Sequence, residues 1–350
     1  MNAISSPDNE RNNIMLIMTV GLPKSGKTTY TEELEEYGFN SYFTPADTEA
    51  TILNALRNGE NVIIDGSNLI RSRRVKLLKY LKENNIETKM KCVLFVAPLN
   101  LLEERAADKF ERTYGCEIGD IEAIETRDFI LRCLKRFDPP FIYEGWDEIE
   151  IKWSTNMADI KLPDDLMEFN QDLPYTKLSL GQHMKKTYEI IKDKTLNDPS
   201  SSLYNVSEEM IAVEPAVWIA AYMHDIGKSL TKIRLDENDG LERPETRYDG
   251  YQHAGAYLYL NHINNILLKQ NGIERYGKVR SGDIERAINI ANMIAFQDAP
   301  DTEWTSKKEA FDSLTWRYDE TNAFSAAEKA YCKIFIDDVY LLNECEKLAK

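Results

Sequence analysis

The stretch GLPKSGKTTY, residues 21 to 30, holds Gly21, four free positions, Gly26, Lys27 and Thr28, which is the spacing of a phosphate-binding loop. The chemistry such a loop performs is anion capture. Backbone N–H groups through Lys24, Ser25 and Thr29 wrap a nucleotide polyphosphate, Lys27 reaches its outer phosphates, and the Thr28 hydroxyl sits on Mg²⁺. Glycine at 21 and 26 lets the backbone approach where a Cβ would collide.

Further residues of the first half have types suited to phosphate transfer. Asp65 ends the apolar run of NVIIDGSN and falls where a second acidic group could hold the Mg²⁺ shell opposite Thr28. Asp47, in FTPADTEA, is the candidate general base for an acceptor hydroxyl; its other reading is an N-cap of the helix that follows. Arg105 and Arg112, in NLLEERAADKFERTYG, stand seven residues apart and so share a helix face from which both could reach a nucleotide. The alternative for each is a surface arginine paired with neighbouring glutamates.

The second half holds all four histidines of the chain: 183, 224, 253 and 262. His224 and Asp225 stand together in HDIGK, and His183 lies 41 residues upstream. In the last helix Tyr331, Ile334, Phe335, Leu341 and Leu342 form an apolar stripe that includes Asp338, whereas Asp337 falls on the solvated side. A carboxylate facing a core is costly unless it is paired or binds a metal. Two histidines and two aspartates from three helices would make an N₂O₂ site for a divalent metal, able to generate hydroxide and polarise a phosphoryl oxygen.

These residues need elements to hold them. IMLIMTV before the loop has the length of a doubly buried strand, and KTTYTEELEEYG after it reads as a helix ending at Gly38. NSYFTP, NVIIDGS, KCVLFVA and EIEIKW alternate with helical stretches, including Arg71 to Asn84 and a long charged one from Leu99 to Arg136. The pattern predicts a doubly wound parallel α/β sheet over 13–155 after a disordered tail at 1–12. Residues 156–175 read as a linker, and 176–350 as an all-α domain almost without strand signal.

Composition sets outer bounds. A chain of 350 residues that is 43% hydrophobic can fill two cores. No apolar run nears the 18 residues of a membrane helix, and the polar start MNAISSPDNERNN predicts no signal peptide. Five dispersed cysteines without a C-x-x-C predict reduced thiols and a cytoplasmic protein. The net charge of −16 argues against non-specific grip on long duplexes. LIRSRRVKLLK, at 69 to 79, is the densest basic stretch, either a local channel or a solvated helix face.

GLPKSGKTTY, VIIDGSNLIRSRR, EERAADKFERTYG and FDPPFIYEGWDEIEI, in that order, resemble the P-loop kinases that phosphorylate 5′-hydroxyl polynucleotide ends, and their zeta-toxin-like relatives. The resemblance covers 14 to 153 and implies ATP and Mg²⁺ as cofactors, Asp47 as base and Arg105 in a lid. Such kinases often carry an arginine shortly after the base to hold the acceptor's phosphate; here Thr48, Glu49 and Ala50 follow instead.

From 176 to 350 the order H…HD…D, with HDIGK and YQHAGAYLYL, resembles the HD phosphohydrolase superfamily. That resemblance implies metal ligands His183, His224, Asp225 and Asp338, with Mn, Ni, Co or Zn as the metal. It also implies Lys228 near the substrate phosphate and His253 as a second-metal or substrate residue. Asn292 stands where two-metal members offer a histidine, which favours one metal. Together the halves suggest a bifunctional enzyme healing RNA ends, both 5′-hydroxyl and 2′,3′-cyclic or 3′-phosphate, for a separate RNA ligase. A small-molecule or nucleoside kinase joined to a nucleotide-hydrolysing domain is the alternative, and a nucleotide-sensing regulator with a non-catalytic HD half is a third.

Overall fold

Five strands, each preceded or followed by helix, build the first unit of the computed structural model. They are β1 (Met15–Gly21), β2 (Phe39–Phe43), β3 (Asn61–Asp65), β4 (Lys89–Val96) and β5 (Glu148–Trp153). All neighbours pair in parallel, in the order β2-β3-β1-β4-β5. In β1 the run Leu16 to Val20 is buried without alternation, as a parallel strand covered on both faces must be. On one face Ile17, Ile63, Val93 and Phe95 form a cluster against Tyr30 and Leu34 of α1 (Lys27–Glu35).

The structure describes residues 14–43, 47–154, 163–174, 176–199, 201, 204, 214–235, 244–270, 281–315 and 326–350, with the backbone alone at 163, 264–270, 281 and 326–327. The tail at 1–12 lies outside them, as do 156–162 and 175 of the linker expected at 156–175. The chain divides into Met1–Cys133 with Pro140–Ala158, and Leu134–Pro139 with Asp159–Lys350.

The other helices of the first unit are α2 (Glu49–Arg57), α3 (Arg71–Glu83), α4 (Leu99–Tyr114) and α5 (Asp120–Leu134). The long charged helical stretch expected from Leu99 to Arg136 is divided into α4 and α5. Gly115 ends α4 in the left-handed conformation at φ 70°, a C-terminal stop that glycine adopts without strain.

The second unit is helical, as expected, except for one ribbon. Its helices are α6 (Leu180–Asn197), α7 (Ala216–Met223), α8 (Lys228–Thr231), α9 (Tyr251–Gln270), α10 (Ser281–Phe296), α11 (Ala299–Thr302), α12 (Lys307–Leu314) and α13 (Ala326–Ala349). β6 (Ile233–Leu235) and β7 (Glu245–Arg247) pair antiparallel. Three-residue strands are too short for a period-2 signal, so pattern reading passes over them. Segment Leu134–Pro139 belongs here through tertiary contact: Phe137 meets Tyr257 of α9 edge to face at 5.0 Å, and a Cβ on Gly250 would lie 2.5 Å from the Lys135 carbonyl. Among the described residues no helix is long and apolar enough to cross a membrane.

Candidate functional sites

The loop between β1 and α1 is built by close approach. A Cβ on Gly21 would lie 2.7 Å from the Phe95 carbonyl oxygen, and Gly26 has φ 106°, so glycine is required at both positions. Lys24 adopts φ 67°, which side-chain-bearing residues rarely take and which concentrates at functional loops. Lys27 opens α1, and its ammonium curls back to donate to the carbonyls of Gly21 at 3.0 Å and Leu22 at 2.7 Å. Burial lowers the Lys27 pKa to about 8, opposed in part by the charge of Asp65. The side chain is therefore held across the loop with its protons spent on carbonyls. An anion seated there would recover them.

Because β3 lies directly beside β1, its last residue arrives at the same edge. The Thr28 hydroxyl donates to Asp65 Oδ2 at 3.0 Å, and the Thr19 hydroxyl approaches Oδ1 at 3.4 Å. A hydroxyl and a buried carboxylate in contact, at the start of a helix beside a glycine loop, form a hard oxygen pair of the kind Mg²⁺ takes. Arg105 donates through Nη1 to the Lys24 carbonyl at 3.1 Å, so α4 is tied to the loop. Arg112, exposed in the last turn of α4, makes no such bond.

Asp47 follows β2, whose Phe43 is in register with Asp65, so it stands at the same C-terminal edge of the sheet. It is not the N-cap of α2. Thr48 takes that position, accepting from the Thr51 N–H, while Asp47 Oδ2 accepts from the Phe43 N–H at 2.6 Å. The basic stretch at 69 to 79 is split: Arg73, Lys76 and Lys79 are exposed, while Arg71 and Arg74 turn towards Glu144. Arg74 is buried and donates to both carboxylate oxygens of buried Glu144, at 2.8 and 2.6 Å, and to the carbonyls of Asn68 and Leu69. Arg71 lies 3.5 Å from the same carboxylate, and Lys76 pairs with Glu49.

In the second unit α6 supplies His183, and the turn after α7 supplies His224 and Asp225, all buried. The two Nε2 atoms lie 3.3 Å apart, and Asp225 Oδ2 lies 3.4 Å from one and 3.5 Å from the other. His224 Nδ1 sits 2.8 Å from the Ala221 carbonyl, to which it donates, so the Nε2 edge of the ring is the one turned to the cluster. Burial holds His183 neutral, with its pKa lowered to about 4 despite the pull of Asp225. Asp225 Oδ1 is buried with no hydrogen-bond partner. Two imidazoles and one carboxylate with an orphan oxygen are a donor set that fits a divalent metal of the Mn to Zn range.

Asp338 does not join this cluster. Lys194 pairs with Glu344, and the Lys350 charge acts on His183, so α13 runs antiparallel to α6 with its C-terminal end at the histidines. Asp338 lies two turns back from Glu346, about 12 Å along the axis. Burial, with the charge of Asp337 added, raises its pKa to about 7. Its surroundings thus favour the neutral acid over the carboxylate. His253 also stands elsewhere, with Nδ1 3.3 Å from Asp138 Oδ1. Lys228 is at the cluster, but its ammonium is 2.5 Å from Asp225 Oδ2 and 4.9 Å from the centre of the Tyr251 ring.

Three groups near the cluster escape sequence reading. Tyr251 is buried among the charges of Asp225, Asp298 and Glu346, donates to Asp298 Oδ2 at 2.9 Å, and has its pKa raised by burial first and then by those charges. Glu346 shares a helical stripe with Asp338, since eight residues make about two turns. Periodicity selects both residues and cannot say which end of α13 meets the histidines. Asp298 gives no signal at all in FQDAP.

No family model matches the chain, and no curated protein matches it.

Proposed function

We propose that the chain is a bifunctional RNA end-healing enzyme: an ATP- and Mg²⁺-dependent kinase of 5′-hydroxyl ends in the first unit and a metal-dependent phosphohydrolase of 2′,3′-cyclic or 3′-phosphate ends in the second. One observation carries the reading. A single chain holds both a glycine loop with Lys27, Thr28 and Asp65 in contact and a buried His183–His224–Asp225 cluster, two constellations suited to opposite phosphate chemistry.

In the kinase half, a bond forms between the acceptor O5′ and the ATP γ-phosphorus while the bond from that phosphorus to ADP breaks. Asp47 accepts the hydroxyl proton. Lys27 exchanges its two carbonyl partners for phosphate oxygens, and Arg105, anchored at the loop, adds positive charge as charge moves to ADP. Thr28 and Asp65 would hold Mg²⁺, whose part is to neutralise the phosphates.

In the hydrolase half, His183, His224 and Asp225 would hold the divalent ion, which supplies an acidified water and a polarised phosphoryl oxygen. Lys228 shares its ammonium between Asp225 and an incoming phosphate, and Tyr251 keeps it there through its ring face. A separate RNA ligase would seal the healed ends.

The small-molecule or nucleoside kinase reading draws on one observation, the inward turn of Arg74 and Arg71, which leaves less basic surface for a strand. The test offers the chain ATP with either a 5′-hydroxyl oligoribonucleotide or free nucleosides, and in parallel an oligonucleotide ending in a 2′,3′-cyclic phosphate. Transfer to the oligonucleotide and opening or removal of the cyclic phosphate support the proposal. Transfer to nucleosides alone, or neither reaction, overturns it.

A further inference from the structure

A cavity of about 730 Å³ lies between the loop, α4 and α5, within the size range of small-ligand sites. It meets the loop at Pro23 and Lys24, and its walls include Lys109 and Phe110 on α4 and Phe129 on α5. Two of its features call for a ligand. Lys24 and Lys109 face each other, the Lys109 charge adding to burial in lowering the Lys24 pKa, and neither has a carboxylate partner among the described residues. Facing ammonium groups in a chain of net charge −16 are unfavourable unless an anion lies between them. The second feature is aromatic surface on both walls: Phe110 and Tyr114 have ring centres 4.6 Å apart, Tyr114 is 68% exposed and Phe129 49%.

We propose that this cavity binds the acceptor of the kinase: the terminal nucleotide of a single-stranded 5′-hydroxyl end, its base against Phe129, Phe110 and Tyr114 and its 3′-phosphate between Lys24 and Lys109. The proposal rests on the reading of the loop as a nucleotide-phosphate site. It supplies what the sequence after Asp47 lacks, a cation for the acceptor's phosphate, from another part of the fold. Charge selects this occupant over a second triphosphate. Glu122, Glu125 and Asp128 line the same cavity and would repel a polyanion, while one phosphodiester clamped by two lysines is tolerated. Exposed ring faces hold unpaired bases irrespective of sequence, as suits an enzyme that must accept any broken end.

The test uses the full chain and the variants Lys109→Met and Phe129→Ala, each checked for an unchanged melting temperature. Acceptors are a 5′-hydroxyl oligonucleotide, a nucleoside 3′-monophosphate and the plain nucleoside. Each variant should raise the acceptor KM on the order of ten-fold with the KM for ATP unchanged, and the Lys109→Met effect should vanish for the nucleoside, which has no phosphate to lose. A rise in the KM for ATP instead makes the cavity the donor's and overturns the proposal, as does no change in either constant. If wild-type protein phosphorylates nothing, the kinase reading fails. The subsite is then decided by oligonucleotide anisotropy, where binding equal in wild type and both variants refutes it and binding weakened in both sustains it.

Discussion

His183 and His224 point their Nε2 atoms at one another across 3.3 Å although 41 residues separate them, and Asp225 Oδ2 completes a triangle with both. Three buried donors with one carboxylate oxygen left over are stable together when a cation joins them. His224→Ala and Asp225→Ala should therefore lose bound Mn²⁺, Ni²⁺, Co²⁺ or Zn²⁺ and melt lower, and a chelator should lower the melting temperature of the wild type only. Asp338→Ala and His253→Ala should keep their metal. Metal content by elemental analysis beside thermal melting decides it. Metal lost from Asp338→Ala would move the ligand set back to that residue.

Lys27 and the histidine cluster belong to different units, so their chemistry should separate. Lys27→Ala should abolish phosphate transfer and leave hydrolysis of a cyclic phosphate end at its wild-type rate. Asp47→Asn should lower kcat by about 100-fold or more with ATP binding retained, since a base acts on the acceptor hydroxyl and not on the nucleotide. Steady-state kinetics of both reactions on each variant provide the check, and wild-type turnover in Asp47→Asn would assign the proton to another group.

Arg74 and Glu144 form a buried pair with two parallel bonds, and Glu144 also accepts from the Phe141 N–H and the Trp146 ring N–H. Removing Glu144 strands the Arg74 charge and two further donors, and removing Arg74 strands the Glu144 charge. Glu144→Ala or Arg74→Ala should cost about 3–5 kcal/mol, and Arg74→Lys should fail to rescue because an ammonium cannot span both oxygens. Chemical denaturation followed by a probe in the first unit measures this, and a cost under about 1 kcal/mol would contradict it.

The elements of the first unit were legible because local pattern and tertiary role coincide there. Met15–Gly21 is almost wholly apolar because it is buried on both faces, Gly21 is glycine because the chain folds back on Phe95, and Gly26 because its φ is 106°. Where position depends on distant contact, the sequence carries no mark. Arg74 is indistinguishable in RSRR from Arg73, yet only Arg74 meets a glutamate 70 residues away. Leu134–Pro139 reads as the end of a helix but joins the second unit through Phe137 and Tyr257. The candidate metal donors are legible as HD with an upstream histidine; which carboxylate of α13 comes near them is not, because helical phase gives a face and not a height along the axis.

Asp338 offers the sharpest test of that distinction, because a half-buried carboxyl and a metal ligand respond oppositely to pH. Its pKa is raised to about 7 by burial, whereas in the unfolded chain it returns to the ordinary carboxylate range. Between about pH 4 and pH 7 the native state therefore holds a proton that the unfolded state has released. The stability this lends is complete below pH 4 and is lost as the pH rises through 7. Asp338→Asn keeps the neutral form at every pH, so it should match the wild type at about pH 4 and be the more stable of the two at pH 8, on the order of 4 kcal/mol. Its metal content should not change at either pH. A metal ligand would give the reverse, a variant that melts lower at pH 8 and has lost its ion, so melting curves at the two values with metal analysis alongside separate a protonated core carboxyl from a coordinating one.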